Sequence, residues 1–242
     1  MLVFVSLLVI GCNFAFLGRD AELIEPSDVI VTEARPVSGF TGIDMGTFGE
    51  VILTQGDTES LSIQGSDNII PLVKTTVRNG VLVISMEDDV NITGMNSDNV
   101  LRFTIAVKDL TNLAVSGASK VTMDTLTTGD MSVDMSGAGN ITLGSLAADS
   151  LSVDISGVGN VEAAGEATTA KVDISGAGSF QGSELKVQTA EVNISGIGNI
   201  EIWVTDSLTG EISGGGSVNY YGSPSLDTTT TGVGNFESLG EK

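Results

Sequence analysis

From about Val37 onward, apolar and polar residues alternate with a period of two, the signature of half-buried β-strands. Superimposed on that alternation is a phrase that returns down the chain. It reads "SGASKV" from Ser116, "SGAGNI" from Ser136, "SGVGNV" from Ser156, "SGAGSF" from Ser175, "SGIGNI" from Ser195, "SGGGSV" from Ser213 and "TGVGNF" from Thr231. The steps between copies are 20, 20, 19, 20, 18 and 18 residues, and a weaker copy, "MGTFGEV" from Met45, precedes the first by 71. The intervening stretch does not repeat. It reads as longer strands and hairpins, one of them turning at Asn79-Gly80, a pair that accepts the positive φ of a tight hairpin turn.

A period near 20 residues with short strands in each unit predicts an all-β fold, a parallel β-helix or solenoid in which each unit is one coil. At about 4.8 Å per coil, seven coils make a rod roughly 30 Å long. Within one unit the alternation turns Val153, Ile155 and Val161 inward and Asp154, Ser156 and Asn160 outward. The glycine pairs Gly137 and Gly139, Gly157 and Gly159, Gly176 and Gly178, Gly196 and Gly198, and Gly232 and Gly234 then mark a corner. There they supply positive φ and close approach between coils, with Asn140, Asn160, Asn199 and Asn235 beside them. The residue between each glycine pair (Ala138, Val158, Ala177, Ile197, Val233) is expected to plug the corner. The chain divides into a signal-like segment over 1–12, an acidic tether over 13–35 that ends in a first strand, and one solenoid domain over 36–242. That domain has less regular strands over 36–112 and glycine-cornered repeats over 113–238.

The first residues, "MLVFVSLLVIGCNFAFLGRD", are almost wholly apolar to Leu17. The run "VIGC" resembles the lipobox of bacterial lipoproteins, which makes Cys12 the candidate lipidation site. An ordinary secretory signal, a retained transmembrane anchor and a buried segment are the other readings, because "FAFL" continues the apolar run beyond the cysteine. The first three export the rest of the chain and place it, membrane-anchored or released, in the cell envelope.

Composition narrows the chemistry. Cys12 is the single cysteine and there is no histidine, so disulfide frameworks, Cys/His metal sites and histidine-based hydrolase mechanisms are excluded within one chain. Ten Lys plus Arg against 31 Asp plus Glu give a net charge of −21, which disfavours nucleic acid as a partner.

Equivalent positions of successive coils stack into ladders. Asp134, Asp154, Asp173, Asn193 and Glu211 form an acidic one, which reads either as a solvated face that keeps the rod soluble or as a stripe of oxygen ligands for Ca²⁺. The segment 86–99, with Glu87, Asp88, Asp89, Asn91 and Asp98, is a second cation candidate or a solvated hairpin tip. The Asn ladder reads as architecture rather than a sugar site. So do the serines Ser136, Ser156, Ser175, Ser195 and Ser213, since no base stands ready to activate them. Trp203, Tyr220 and Tyr221 are candidates for glycan or partner contact, or for capping the C-terminal end of the rod. No cofactor is expected apart from the Ca²⁺ alternative.

The succession of "SGxGN" units, preceded by "RPVSGFTGIDMGTFGEVILTQGDTESLSIQG", resembles the head GIN domain family of bacterial envelope proteins, over roughly residues 36–238. The resemblance implies a right-handed β-helix-like fold and an adhesive role at the cell surface or in the envelope. It supplies no catalytic motif. Two copies depart from the pattern, "SGASKV" without its second glycine and "SGGGSV". The expected function is thus a non-catalytic, membrane-tethered binding module for glycan, matrix or protein. The alternatives are a self-assembling structural protein, a homo-oligomer, and, less favoured, a β-helix polysaccharide-degrading enzyme working through paired carboxylates.

Overall fold

The computed structural model describes residues 22–96 and 99–242; the Cys12 segment lies outside them. Of these described residues 72% lie in strands and none in an α-helix, and they form a β-solenoid of about six turns. The less regular part contains β1 (Glu22–Ile24), β2 (Ile30–Arg35), β3 (Gly42–Gly46), β4 (Gly49–Gln55), β5 (Ser60–Ser66), β6 (Val73–Arg78), β7 (Val81–Met86), β8 (Val90–Ile92) and β9 (Arg102–Val107). The repeats contain β10 (Asn112–Val115), β11 (Ala118–Met123), β12 (Leu126–Thr127), β13 (Asp130–Met135), β14 (Ala138–Ile155) and β15 (Val158–Ile174). They continue with β16 (Ala177–Ile194), β17 (Ile197–Ile212), β18 (Gly215–Tyr221), β19 (Ser225–Thr230) and β20 (Val233–Gly240).

Coils stack in parallel and in register, so identical sequence positions become ladders. Met135, Ile155, Ile174, Ile194 and Ile212 form one buried column, and Val133, Val153, Val172 and Val192 another. Each such side chain contributes about 2 kcal/mol by leaving water, and the columns merge into one continuous core.

Two neighbouring donors in every coil, for example Ser156 N and Gly157 N, share one carbonyl of the coil below, that of Met135, at 3.0 and 2.9 Å. Val158 N then donates to the carbonyl of Gly137 at 2.9 Å. This arrangement draws the corner so tight that a Cβ on Gly157 would lie 2.0 Å from that same oxygen. Close approach, more than backbone freedom, is therefore what demands glycine here. Among the paired corner glycines of the expected set, only Gly139 adopts a positive φ, of 148°.

The residue between the glycines does not plug the corner. Alternation runs through the turn unbroken and points it outward, leaving Val158 62%, Ile197 73% and Val233 84% exposed. In "SGASKV", Ser119 takes the place of the second glycine, is buried, and donates through Oγ to the carbonyl of Thr47 at 2.9 Å.

The N-terminal end is closed. The turn at Asn79-Gly80 joins β6 and β7 as an antiparallel hairpin, with positive φ at both residues. Strands β3 and β4 lie directly under β10 and β11, while β7 and β9 lie under β3 and β4. The weaker copy therefore aligns one residue away from its sequence reading, with Ser119 opposite Gly49 and Val115 opposite Met45. Antiparallel β5 and β6 cover β9 and β7, β2 covers β5, and β1 pairs with β8. The stretch expected to be a tether thus carries two strands, β1 and β2, within its described part.

At the other end β19 and β20 each pair, among the described residues, on one side only. Their inward positions change to suit water: Thr228 and Thr230 stack on Gly210 and Ile212. Phe236 leans across toward Gly210, where an added Cβ would sit 3.3 Å from its ring.

Candidate binding surfaces

The acidic ladder forms as the repeat spacing requires: Asp134, Asp154, Asp173, Asn193 and Glu211 occupy successive coils. Its flanks are hydrogen-bonded. Asn112 Nδ2 donates to Asp134 at 3.3 Å, and Asn193 Nδ2 donates to Asp173 at 2.8 Å. Lys171 Nζ lies 3.7 Å from Asp173 and 2.7 Å from Glu191. The hydrogen bond to Glu191 pushes the Lys171 ammonium up, and the same bond holds the Glu191 carboxyl down. Asp154, between two like charges, has no donor among the described residues. Partial burial pushes its carboxyl above the ordinary 3.8, and the charges of Asp134 and Asp173 push the same way.

Glu87 pairs with Lys74 at 3.7 Å, while Asp88 and Asp89 form the turn after β7, Asp89 with a φ of 61°. Asp98 lies outside the described residues. Among the described residues no group of three Asp or Glu side chains is placed to hold one metal ion.

The Asn column is linked side chain to side chain. Asn160 Nδ2 donates to Asn140 Oδ1 at 3.0 Å, Ser179 Oγ donates to Asn160 Oδ1, and Ser217 Oγ donates to Asn235 Oδ1 at 3.0 Å. Groups that satisfy one another along the rod serve its architecture.

The three aromatic residues separate. Tyr220 is 9% exposed and turned into the core, so it is not the surface contact the sequence suggested. Trp203 and Tyr221 are opposite each other on adjacent strands, half-buried on the outer wall, Tyr221 one coil and Trp203 two coils short of the end. They do not cap the rod, a task that falls to the last coil and Phe236. Lys186 Nζ sits 5.6 Å from the Trp203 ring centre. Lys242 Nζ sits 5.8 Å from Trp203 and 4.9 Å from Tyr221, and donates to Glu184 and the carbonyl of Ser183. Beside this cluster an open groove of about 420 Å³ runs along four coils, between Thr128 and Lys186.

Residues 39–224 match the family model described as "Putative auto-transporter adhesin, head GIN domain". The chain belongs to this family. Among solved structures, a putative adhesin from Bacteroides fragilis NCTC 9343 is 29% identical with a TM-score of 0.85, the match covering 89% of this chain and 100% of that one. A putative lipid binding protein from Parabacteroides distasonis ATCC 8503 is 20% identical with a TM-score of 0.72, covering 90% and 100%. A putative adhesin from the same strain is also 20% identical, with a TM-score of 0.66 and the same coverage. These two share the fold. No curated protein matches the chain.

In this head GIN domain the groove and its lysines escaped sequence reasoning, because they lie at the second corner, where the coils differ in length. The register jumps between Gly182 opposite Ile202 and Lys186 opposite Trp203. The usable signal was a break in self-similarity: the wall column Ala147, Glu166, Lys186, Trp203, Tyr221 never repeats a residue and passes from small to acidic to basic to aromatic.

Proposed function

We propose that this head GIN domain is a non-catalytic, adhesin-like binding module, exported and held at the bacterial envelope by its N-terminal segment, whose solenoid walls contact glycan, matrix or protein. The observation that carries the reading is the family match over residues 39–224, joined by the likeness to the putative adhesin from Bacteroides fragilis over 89% of this chain. A histidine-free chain whose described residues present open walls, with no group of three Asp or Glu side chains placed to hold one metal ion, supports binding rather than turnover. Attachment through a lipidated Cys12 is supported by the "VIGC" run. Among the described residues no helix is long and apolar enough to cross a membrane.

The test has two parts. Intact mass spectrometry of membrane-extracted protein is expected to show a lipid-modified chain beginning at Cys12, absent in Cys12→Ala. Cells displaying the protein are expected to adhere to immobilised glycan or matrix more than cells lacking it; equal adhesion on all surfaces refutes the binding reading.

A second reading, self-assembly through the rod end, is favoured by the edges of β19 and β20, which no described strand covers, and by Leu226, 49% exposed there. Concentration-dependent sedimentation of the full chain would establish it.

A further inference from the structure

We infer that the second corner of the solenoid is a binding groove for an uncharged glycan chain, with Trp203 and Tyr221 as its stacking platform; this deepens, and rests on, the adhesin-like reading. In a molecule built from repeats, columns that copy themselves serve the stack. The Asp, Asn and Ser columns do so. The column through Glu166, Lys186, Trp203 and Tyr221 does not, and it borders the groove. Spanning four coils at about 4.8 Å each, the groove and its two aromatic coils make a track roughly 24 Å long. That suits a linear oligomer better than a compact ligand.

The chemistry of the track selects the occupant. Its floor is Ala148, Ala167 and Val187, small enough to let a chain lie against the wall. Its sides offer hydroxyl, amide and carboxylate groups from Thr128, Thr168, Gln188, Asp149 and Glu166, which accept from and donate to sugar hydroxyls. It holds no deep apolar pocket of the kind that anchors a peptide side chain.

Two aromatic rings side by side on adjacent coils suit the apolar faces of pyranose rings, with the Lys186 ammonium beside them. Lys242 now lies over both rings, and a bound sugar takes its place. The carboxylates of Asp149 and Glu166, on a chain of net charge −21, oppose acidic polysaccharides, which leaves the uncharged class.

Trp203 is the only tryptophan, so its fluorescence reports the platform directly. The full chain is titrated with uncharged cello-, manno- and xylo-oligosaccharides, with hyaluronan fragments as the acidic comparison, and is also presented to matrix proteins. At least one uncharged series is expected to bind saturably with a change in Trp203 emission. Trp203→Ala and Tyr221→Ala, read by calorimetry, are expected to weaken it about threefold to tenfold. Trp203→Phe, which keeps a ring, retains most of the affinity, and Lys242→Ala leaves it equal or tighter. Unchanged circular dichroism shows that each variant is folded.

Binding of hyaluronan or a matrix protein without any uncharged glycan overturns this inference and leaves the adhesin reading standing. Glycan binding that ignores both ring deletions likewise overturns the site while sparing the function. Binding of nothing overturns both.

Discussion

Asp154→Asn is expected to stabilise the protein. Asp154 stands between Asp134 and Asp173 on adjacent coils, without a donor among the described residues. Two unit charges about 4.8 Å apart in water repel by roughly 0.9 kcal/mol, so two neighbours cost about 1.7 kcal/mol before screening. At about 0.15 M salt, with a Debye length near 8 Å, roughly 1 kcal/mol remains, or about 2–4 °C in Tm for a chain of this size.

The sign follows from the carboxyl being pushed up in the folded state. The native protein binds the Asp154 proton more tightly than the unfolded chain does. Its penalty is therefore absent below the ordinary carboxylate range and sets in as pH rises through the folded value. The gain from Asn is full at neutral pH and vanishes in acid. Glu162→Gln is the matched control, since its column neighbours are the uncharged Thr142 and Gln181.

Thermal melts followed by circular dichroism at low salt, about 0.15 M and about 1 M should show the Asp154→Asn advantage shrinking severalfold as screening shortens to about 3 Å. A part that survives high salt measures relief of the burial penalty on the carboxylate together with the hydrogen bond the new amide can make, as Asn193 makes one to Asp173. A variant no more stable than the parent at low salt, or an advantage that salt leaves untouched, refutes the argument from repulsion.

Three further outcomes follow from the geometry. Gly157→Ala places a methyl 2.0 Å from the Gly137 carbonyl and is expected to cost about 3 kcal/mol or more in chemical denaturation. Gly56→Ala, with nothing within 4 Å, is expected to be nearly neutral. Glu59 accepts from Gly39 N at 2.8 Å and Phe40 N at 3.3 Å, and the Gly39 bond leads in holding its carboxyl below the usual range. Its contribution is present above the unfolded value and lost as pH falls through the folded one. Glu59→Gln should thus lower Tm at neutral pH and match the parent in acid.

The outward and inward columns were readable from spacing because parallel, in-register stacking converts a repeat of about 20 residues directly into contact. The acidic and Asn columns needed only counting. At the corner the alternation does not pause at Gly157-Val158-Gly159. Carried through, it turns Val158 outward and sets both glycines at inward positions, where the backbones crowd. The same parity separates Tyr220, stacked on Ile202, from Tyr221, stacked on Trp203.

Two features lay beyond such reasoning. Strands β3 and β4 meet β10 and β11 across 70 residues of offset, and nothing local in a strand tells which coil it will join. The offset from β16 to β17 drops from 20 residues at Gly182 to 17 at Lys186, because the second corner absorbs differences in coil length. The first corner tolerates little change, since a Cβ added at its first glycine, as at Gly137, Gly157 or Gly176, would lie 2.0 to 2.1 Å from a carbonyl of the coil below. The second tolerates variation, and that is where a repeating wall can acquire an aromatic pair, a lysine and a groove without disturbing the stack.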